Sequence, residues 1–154
     1  MAALFFMAVA AHWWWSAYLS FFGLSPQILL VLTIVAAAKL GPNTAMCFGF
    51  GWGLALDVFS AHLFGANALA LTLVGYAVGV VRRQIDVNAL GPLCVMVMGM
   101  SWGYFLLSGL LSLVFMKTFS WIGWNAFLLD PFYNCLLLPF GMWAWNGAVG
   151  GPLR

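Results

Sequence analysis

Aspartates are the only carboxylates in this 154-residue sequence, which contains three of them and no glutamate. Asp57 and Asp130 fall in apolar segments, and two carboxylates that share a proton form the catalytic pair of aspartyl proteases. Asp57, however, follows Leu-Ala-Leu rather than the Gly-x-Gly of intramembrane aspartyl proteases. Asp130 precedes Pro131, where we expect a helix cap. An intramembrane hydrolase is therefore the weakest of three functional hypotheses, and it predicts that either Asp→Asn change abolishes turnover.

Other residues with catalytic or metal-binding potential lack the partners that their chemistry needs. Ser108 is not preceded by the Gly-x of an activated serine, and no histidine lies on a plausible partner helix. His12 and His62 are too few for zinc, which needs three or four ligands. No glycine-rich loop follows a strand, so a nucleotide site is not expected. We predict no catalytic, metal or cofactor site.

The three cysteines are widely spaced and form no Cys-x-x-Cys pair. Each lies inside an apolar run, where cysteine usually packs as a small hydrophobic residue. We therefore expect three small, buried hydrophobic side chains: Cys47, Cys94 and Cys135.

The composition indicates an integral membrane protein. Hydrophobic residues make up 66% of the chain and charged residues 5%, whereas soluble domains carry about 25% charged residues. The net charge of +2 is too small to suggest nucleic acid as a partner. The segment MAALFFMAVAAHWWW has no lysine or arginine, so we interpret it as a retained helix rather than a cleaved signal.

Continuous apolar runs without two-residue alternation predict helices rather than a barrel. We expect one transmembrane domain over residues 1–154, with six membrane-spanning helices in one bundle. The predicted helices are residues 3–22, 26–39 with Ser25-Pro26 as cap and first turn, 43–59, 64–81, 90–116 and 131–149. Residues 121–129 are predicted to be an aromatic connector, and Pro139 is expected to bend the last helix.

The basic residues predict the orientation of these helices. With six spans and a cytoplasmic N-terminus, four of the five basic residues fall inside, in agreement with the positive-inside rule. Those four are Lys39, Arg82, Arg83 and Arg154, and only Lys117 falls outside. Both termini are then cytoplasmic. Asp57 and Asp130 lie toward the outer face and Asp86 lies inside.

The tryptophan run His12-Trp13-Trp14-Trp15 falls near the middle of the first predicted helix. Tryptophan prefers the membrane interfaces. Either this helix is shorter than predicted or the triplet fills a groove against other helices, and the sequence leaves both interpretations open.

Small residues recur at helical spacing on several predicted helices. Ala45, Gly49, Gly53 and Asp57 repeat every four residues, which places them on one helix face. Such faces let helix backbones approach closely in a membrane. Similar pairs are Gly75 and Gly79, Gly99 and Gly103, and Gly147 and Gly151. The spacing indicates close packing without identifying which faces meet.

Asp57 has three possible roles. It can cap the following helix by accepting backbone N–H bonds. It can hold the corner between the third and fourth helices against another polar group or a partner. It can also be a catalytic or ion-binding carboxylate. We further expect Asn67, Thr72 and Tyr76 to make hydrogen bonds between helices.

The order of motifs resembles the rod shape-determining protein MreD family. The helix of Ser25-Pro26-Gln27-Ile28-Leu29-Leu30 is followed by Leu40-Gly41-Pro42 and then by GFGWGLALD, which ends at Asp57. Gly65 and LVGYAVG, ending at Gly79, follow, and Arg82-Arg83 closes the segment. Pro131-Phe132-Tyr133-Asn134 is similar to the last helix of the family. The resemblance covers residues 26–139.

The resemblance implies a non-catalytic inner-membrane scaffold of the bacterial elongation complex. Its implied partners are MreC, MreB, RodA, a penicillin-binding transpeptidase and membrane lipid, with no nucleic acid. It implies a fold like that of the S subunits of energy-coupling-factor transporters. Six residues are assigned structural or partner-facing roles by this resemblance and by their spacing: Gly49, Gly53, Asp57, Gly65, Gly75 and Gly79.

An alternative function is the substrate-binding S subunit of an energy-coupling-factor vitamin transporter. The chain length and six helices suit that role, and so does a sparse outer polar cluster. The cluster comprises Asp57, His62, Asn67, Lys117 and Asp130. Few polar groups are available there to recognise a polar vitamin, which counts against this alternative.

Overall fold

A computed structural model describes residues 2–18, 27–59, 63–84, 89–117, 119 and 123–149. These residues form six α-helices and no strand, which confirms the predicted all-helical class. The helices are α1 (Ala2–Tyr18), α2 (Ile28–Leu40), α3 (Pro42–Phe59), α4 (Ala66–Val81), α5 (Leu90–Met116) and α6 (Trp124–Val149).

Helix length bears directly on which elements can cross a membrane, because a span takes about 20 residues. Among the described helices, α5 has 27 residues and is both long and apolar enough to span. The helices α2 and α4 are apolar but have 13 and 16 residues. The structure therefore identifies one membrane-capable helix, and the other spans stay a prediction.

Helix α2 lies at the centre of the fold. Every residue from Leu29 to Ala38 is buried, and α2 contacts all five other helices. A helix that is hydrophobic all round is buried on all sides. Its one buried polar side chain, Thr33, donates to the Leu29 carbonyl of its own helix at 2.7 Å, so it needs no external partner.

Several predicted helix starts differ from the observed ones. Helix α4 begins at Ala66 rather than at residue 64, because Gly65 has a φ of +92° that interrupts helical geometry. Helix α2 begins at Ile28 and Gln27 precedes it, so its predicted start was two residues too early. The predicted cap at Ser25-Pro26 and residues 19–22 of the first helix lie outside the described residues.

Helix α6 begins seven residues before its predicted start at Pro131. Residues 124–129 are helical rather than a connector, and both Pro131 and Pro139 lie inside the helix. Pro131 has no N–H to donate to the carbonyl of Phe127, four residues earlier. The Trp102 indole of α5 donates to that carbonyl instead, at 3.0 Å. The Trp102 side chain of the neighbouring helix thus provides the hydrogen-bond donor that Pro131 lacks.

The cysteines depart from the expectation of three small, buried hydrophobic side chains. Cys94 of α5 and Cys135 of α6 form a disulfide with their Cα atoms 5.2 Å apart, a separation typical of the bond. Cys47 is a free thiol and is exposed rather than buried. The pairing spans 41 residues of sequence, so spacing alone did not reveal it.

Two tryptophans of α1, Trp13 and Trp14, face outward. Trp13 and Trp14 are 66% and 65% exposed, so they do not fill a groove between helices. The ring of Trp13 lies against that of Phe59, with their centroids 6.0 Å apart. Phe59 is the last residue of α3, so Trp13 lies level with the end of that helix. The exposure of Trp13 and Trp14 therefore contradicts the interpretation that they fill a groove.

Candidate functional site

Asp57 occupies the corner where α3 ends and α4 begins, and its side chain is 2% exposed. Its Oδ2 accepts hydrogen bonds from the backbone N–H groups of Gly65 and Ala68, at 3.0 and 3.1 Å. Its Oδ1 accepts one from the N–H of Asn67 at 3.1 Å. The carboxylate therefore holds the first turn of α4, which is the capping arrangement among the three roles that the sequence left open.

The local sequence explains why a residue eight positions away supplies the cap. The first N–H groups of a helix have no partner within the helix, and the residue at the N-cap usually supplies a side-chain oxygen. In α4 that position is Gly65, which has no side chain and adopts a left-handed conformation. Asp57 provides the missing oxygen atoms, and its negative charge is favourable beside the positive end of the α4 dipole.

The small-residue faces of α3 and α4 pack against each other. A Cβ atom added to Gly53 would lie 2.2 Å from the Cα of Ala68, and one added to Gly49 would lie 2.5 Å from a backbone oxygen of α4. From the opposite side, a Cβ atom on Gly79 would lie 2.4 Å from the Cα of Pro42. Gly75 approaches the backbone of Ala45 in the same way. The backbones of α3 and α4 are therefore in close contact along both helices, and Asp57 lies at one end of this contact.

The six sequence-assigned residues therefore come together in one α3–α4 hairpin, which forms the most extensive helix contact of the described structure. The glycines of α5 behave differently. A Cβ atom on Gly99 or Gly103 would meet no atom of the described residues within 4 Å, and the same holds for Gly147. Equal spacing in the sequence thus corresponds to covered faces in one hairpin and to open faces elsewhere.

Basic side chains hold the opposite end of the fold. Arg82 donates from its guanidinium to the carbonyl of Ala38 in the last turn of α2, at 3.3 Å. A positive charge there is favourable beside the negative end of the α2 dipole. Lys39 donates to the side-chain oxygen of Asn146, which joins α2 to the end of α6. Lys39 and Arg82 therefore lie at one end, and the Asp57 corner lies at the other.

A second polar centre joins α5, α6 and the start of α2. The fully buried Asn134 donates to the hydroxyl of Ser101 at 3.0 Å. Its side-chain oxygen accepts from the backbone N–H of Gln27 at 3.1 Å. The sequence did not predict a role for Ser101, and Asn134 was named only as part of a family motif. Asn134 could have been identified from its carboxamide inside an apolar helix, because an unpaired polar group is costly there.

Three polar residues of α4 were expected to bond between helices, and one does. Asn67 accepts a hydrogen bond from the hydroxyl of Tyr104 on α5. Thr72 donates to the Ala68 carbonyl of its own helix at 2.6 Å. Tyr76 is exposed. The first prediction is confirmed, and the second is wrong because a threonine hydroxyl readily reaches the carbonyl one turn back.

The proposed outer polar cluster is only partly assembled. Asp57 and Asn67 are adjacent, whereas Lys117 is exposed at the end of α5. Asp130 is buried in the second turn of α6, so it caps no helix start, contrary to expectation. His62 lies outside the described residues. No group of three or more metal-binding side chains occurs within the described parts of the chain.

The charged residues of the hairpin make contacts that position the ends of helices. A carboxylate that accepts three backbone hydrogen bonds positions a helix start, and a guanidinium on a terminal carbonyl positions a helix end. The disulfide, the Asn134 network and the Trp102 bond then hold α5, α6 and the start of α2 together. The arrangement builds a defined helical surface.

Comparison with protein families gives a match to the model of the rod shape-determining protein MreD over residues 1–143. Searches of curated proteins and of solved structures give no significant match.

Proposed function

This chain belongs to the rod shape-determining protein MreD family, and on that premise we propose that it is a non-catalytic membrane scaffold of the cell-elongation complex. Membership supports a role in rod shape determination within a membrane. We further propose that the chain docks MreC and helps couple MreB filaments to peptidoglycan synthesis by RodA and a penicillin-binding transpeptidase. The single observation that carries this proposal is the family match over residues 1–143.

The hydrogen bonding of the described residues supports a scaffold rather than an enzyme. Asp57, the carboxylate that most resembled a catalytic group, accepts bonds from three backbone N–H groups. Large apolar side chains of α5 are exposed on its outer surface, including Val95, Leu106 and Leu110. In a membrane such a surface can contact lipid or the single helix of a partner.

We propose a multi-pass arrangement with both termini in the cytoplasm. Lys39 and Arg82 lie at the same end of the described fold, so one orientation can place both on the cytoplasmic side. Cysteine accessibility to a membrane-impermeant reagent tests this orientation. A cysteine introduced at Arg83 should react only after the cells are opened, and one introduced at Lys117 should react in intact cells whose outer barrier is permeable. The reverse pattern would refute the orientation.

The test of function is purification from the native host in mild detergent, followed by mass spectrometry of the associated proteins. Recovery of an MreC-like single-span protein and wall synthases supports the scaffold. Recovery of an energy-coupling membrane subunit and ATPases instead would identify a transporter S subunit. Unchanged cell shape and unchanged partner assembly after deletion of the protein would refute the scaffold proposal.

A matched pair of variants sharpens this test. Asp57→Ala should lower complex assembly or yield more than Asp86→Ala, because Asp57 holds the α3–α4 hairpin. Equal recovery of partners with both variants would remove the special role of Asp57.

A further inference from the structure

A cavity of about 200 Å³ lies beside the Asp57 corner. Four polar side chains from four elements face it: His12 of α1, Gln27 at the start of α2, Asn67 in the first turn of α4 and Tyr104 of α5. None of the contacts described for the Asp57 cap or the Asn134 network uses the side chains of His12 or Gln27. Two of the four polar side chains in the lining, those of His12 and Gln27, therefore have no role in the structural contacts described above.

Two of these side chains present polar atoms that have no hydrogen-bond partner in the described part of the chain. Among the described residues, nothing hydrogen-bonds to the buried Nδ1 of His12 or to the buried Oε1 of Gln27. Asn67 accepts from Tyr104, and its carboxamide nitrogen still carries N–H donors. Buried polar groups without partners are costly. An occupant of the cavity that carries hydrogen-bonding groups would remove that cost.

The charge of the lining restricts what the occupant can be. None of the described residues that line the cavity is Asp, Glu, Lys or Arg. An ion placed there would lose hydration without a counter-charge in the wall, and the nearby Asp57 carboxylate already accepts three backbone N–H groups. Binding of an ion is therefore strongly unfavourable. The occupant is therefore uncharged.

The size and shape of the cavity further restrict what the occupant can be. Since one water molecule takes about 30 Å³ of liquid, the cavity has room for roughly seven water-sized groups. The remaining wall consists of the leucine side chains Leu29, Leu30, Leu56 and Leu71. We propose that this cavity binds a small uncharged molecule with hydrogen-bonding groups on one edge and an apolar surface on the other. Its polar edge contacts His12, Gln27 and Asn67, and its apolar surface packs on the leucines.

Benzamide, benzoate and toluene form a probe series for this chemistry. They share a ring of suitable size and carry a neutral polar group, a charged group and no polar group. Ligand-observed NMR titration uses the full chain in lipid nanodiscs, with empty nanodiscs to subtract partition into lipid. We expect saturable binding of benzamide, binding of benzoate at least about tenfold weaker, and no toluene signal above that of the empty nanodiscs.

Two variants test whether benzamide binds in this cavity. Gln27→Leu should weaken benzamide binding about three- to tenfold, the effect of one lost hydrogen bond. The backbone N–H of Gln27, which bonds Asn134, is unchanged by this substitution. Gln84→Leu is the matched control, because Gln84 is exposed in the turn after α4, and it should bind as the wild type does. His12→Phe keeps the ring and provides a second test if Gln27→Leu does not fold.

Three results would overturn the proposal. Absence of saturable benzamide binding would show that the cavity holds water only. Equal binding of benzamide and benzoate would refute the requirement for an uncharged ligand. Wild-type benzamide affinity in both His12→Phe and Gln27→Leu would place the binding elsewhere. None of these results bears on recovery of elongation-complex partners, so the ligand site and the scaffold function are tested separately.

Discussion

Replacement of Asp57 by asparagine should destabilise the protein although the side chain keeps its shape. Asparagine has one carbonyl oxygen, whereas Asp57 uses two oxygen atoms to accept three backbone N–H groups. An asparagine oxygen at the Oδ2 position keeps the bonds from Gly65 and Ala68. Its NH₂ group then faces the N–H of Asn67, and that partly buried donor loses its acceptor.

The magnitude follows from those losses. A buried donor left without an acceptor costs about 1–3 kcal/mol, and loss of a negative charge at a helix start costs about 0.3–1 kcal/mol. We therefore expect Asp57→Asn to lower the free energy of unfolding by about 1–4 kcal/mol, the sum of these two costs. Asp57→Ala removes all three bonds. Water can enter the vacated corner, so we expect about 3–5 kcal/mol rather than three full penalties.

The assay is equilibrium unfolding by SDS in mixed micelles, followed by far-ultraviolet circular dichroism. Asp130→Asn is the matched control, because Asp57 and Asp130 are both 2% exposed. No described residue hydrogen-bonds to the buried Oδ1 of Asp130. Its replacement by a neutral amide should therefore cost less than about 1 kcal/mol or stabilise the fold.

Either of two results would refute the capping argument. If Asp57→Asn and Asp130→Asn shift the unfolding equilibrium equally, burial rather than the N–H bonds governs the effect. If Asp57→Ala costs no more than Asp57→Asn, the bonds from Gly65 and Ala68 contribute nothing measurable.

Three further predictions concern packing, the proline of α6 and the disulfide. Gly53→Ala should destabilise by about 1–3 kcal/mol, because its Cβ would meet backbone at 2.2 Å. Gly103→Ala should be neutral or stabilise by up to about 1 kcal/mol in the same SDS assay, since its Cβ meets nothing within 4 Å; equal effects would contradict this assignment of faces. Trp102→Phe should cost about 1–2 kcal/mol alone but much less in a Pro131→Ala background, where the restored N–H satisfies the same carbonyl; additive effects in the double-mutant cycle would argue against that compensation. Alkylation of the denatured, unreduced protein should modify Cys47 only, and subsequent reduction should release two further thiols, those of Cys94 and Cys135, for detection by mass spectrometry; three modified cysteines before reduction would exclude the disulfide.

Some elements could be predicted because their signal is local. The bounds of α5, Leu90–Met116, were predicted correctly, since Gly91-Pro92 marks the start of a long uninterrupted apolar run. The family was also identified from the order of short motifs, and the match over residues 1–143 confirms it. In contrast, the start of α6 was missed, because Pro131 normally marks a helix start and its compensation comes from Trp102 on another helix.

The candidate site likewise combines features that the sequence predicted with contacts that it did not predict. The spacing of Gly49, Gly53 and Asp57 predicted one small-residue face with a carboxylate at its end. It did not show that this face meets α4, nor that the Gly99 and Gly103 face stays open. The role of Asn134 and the Cys94–Cys135 pairing also depend on contacts across the chain.

Composition and local sequence predicted the membrane class, most of the helical elements and the crowding of small residues, and the resemblance in motif order identified the family. The three-dimensional contacts were needed to show which faces meet, which helix start Asp57 caps and where the polar cavity lies. This division arises because lipid is as apolar as a protein core. A helix that faces lipid therefore carries the same apolar pattern as one that faces protein, and the sequence lacks the contrast between inner and outer faces that reveals the packing of a soluble protein.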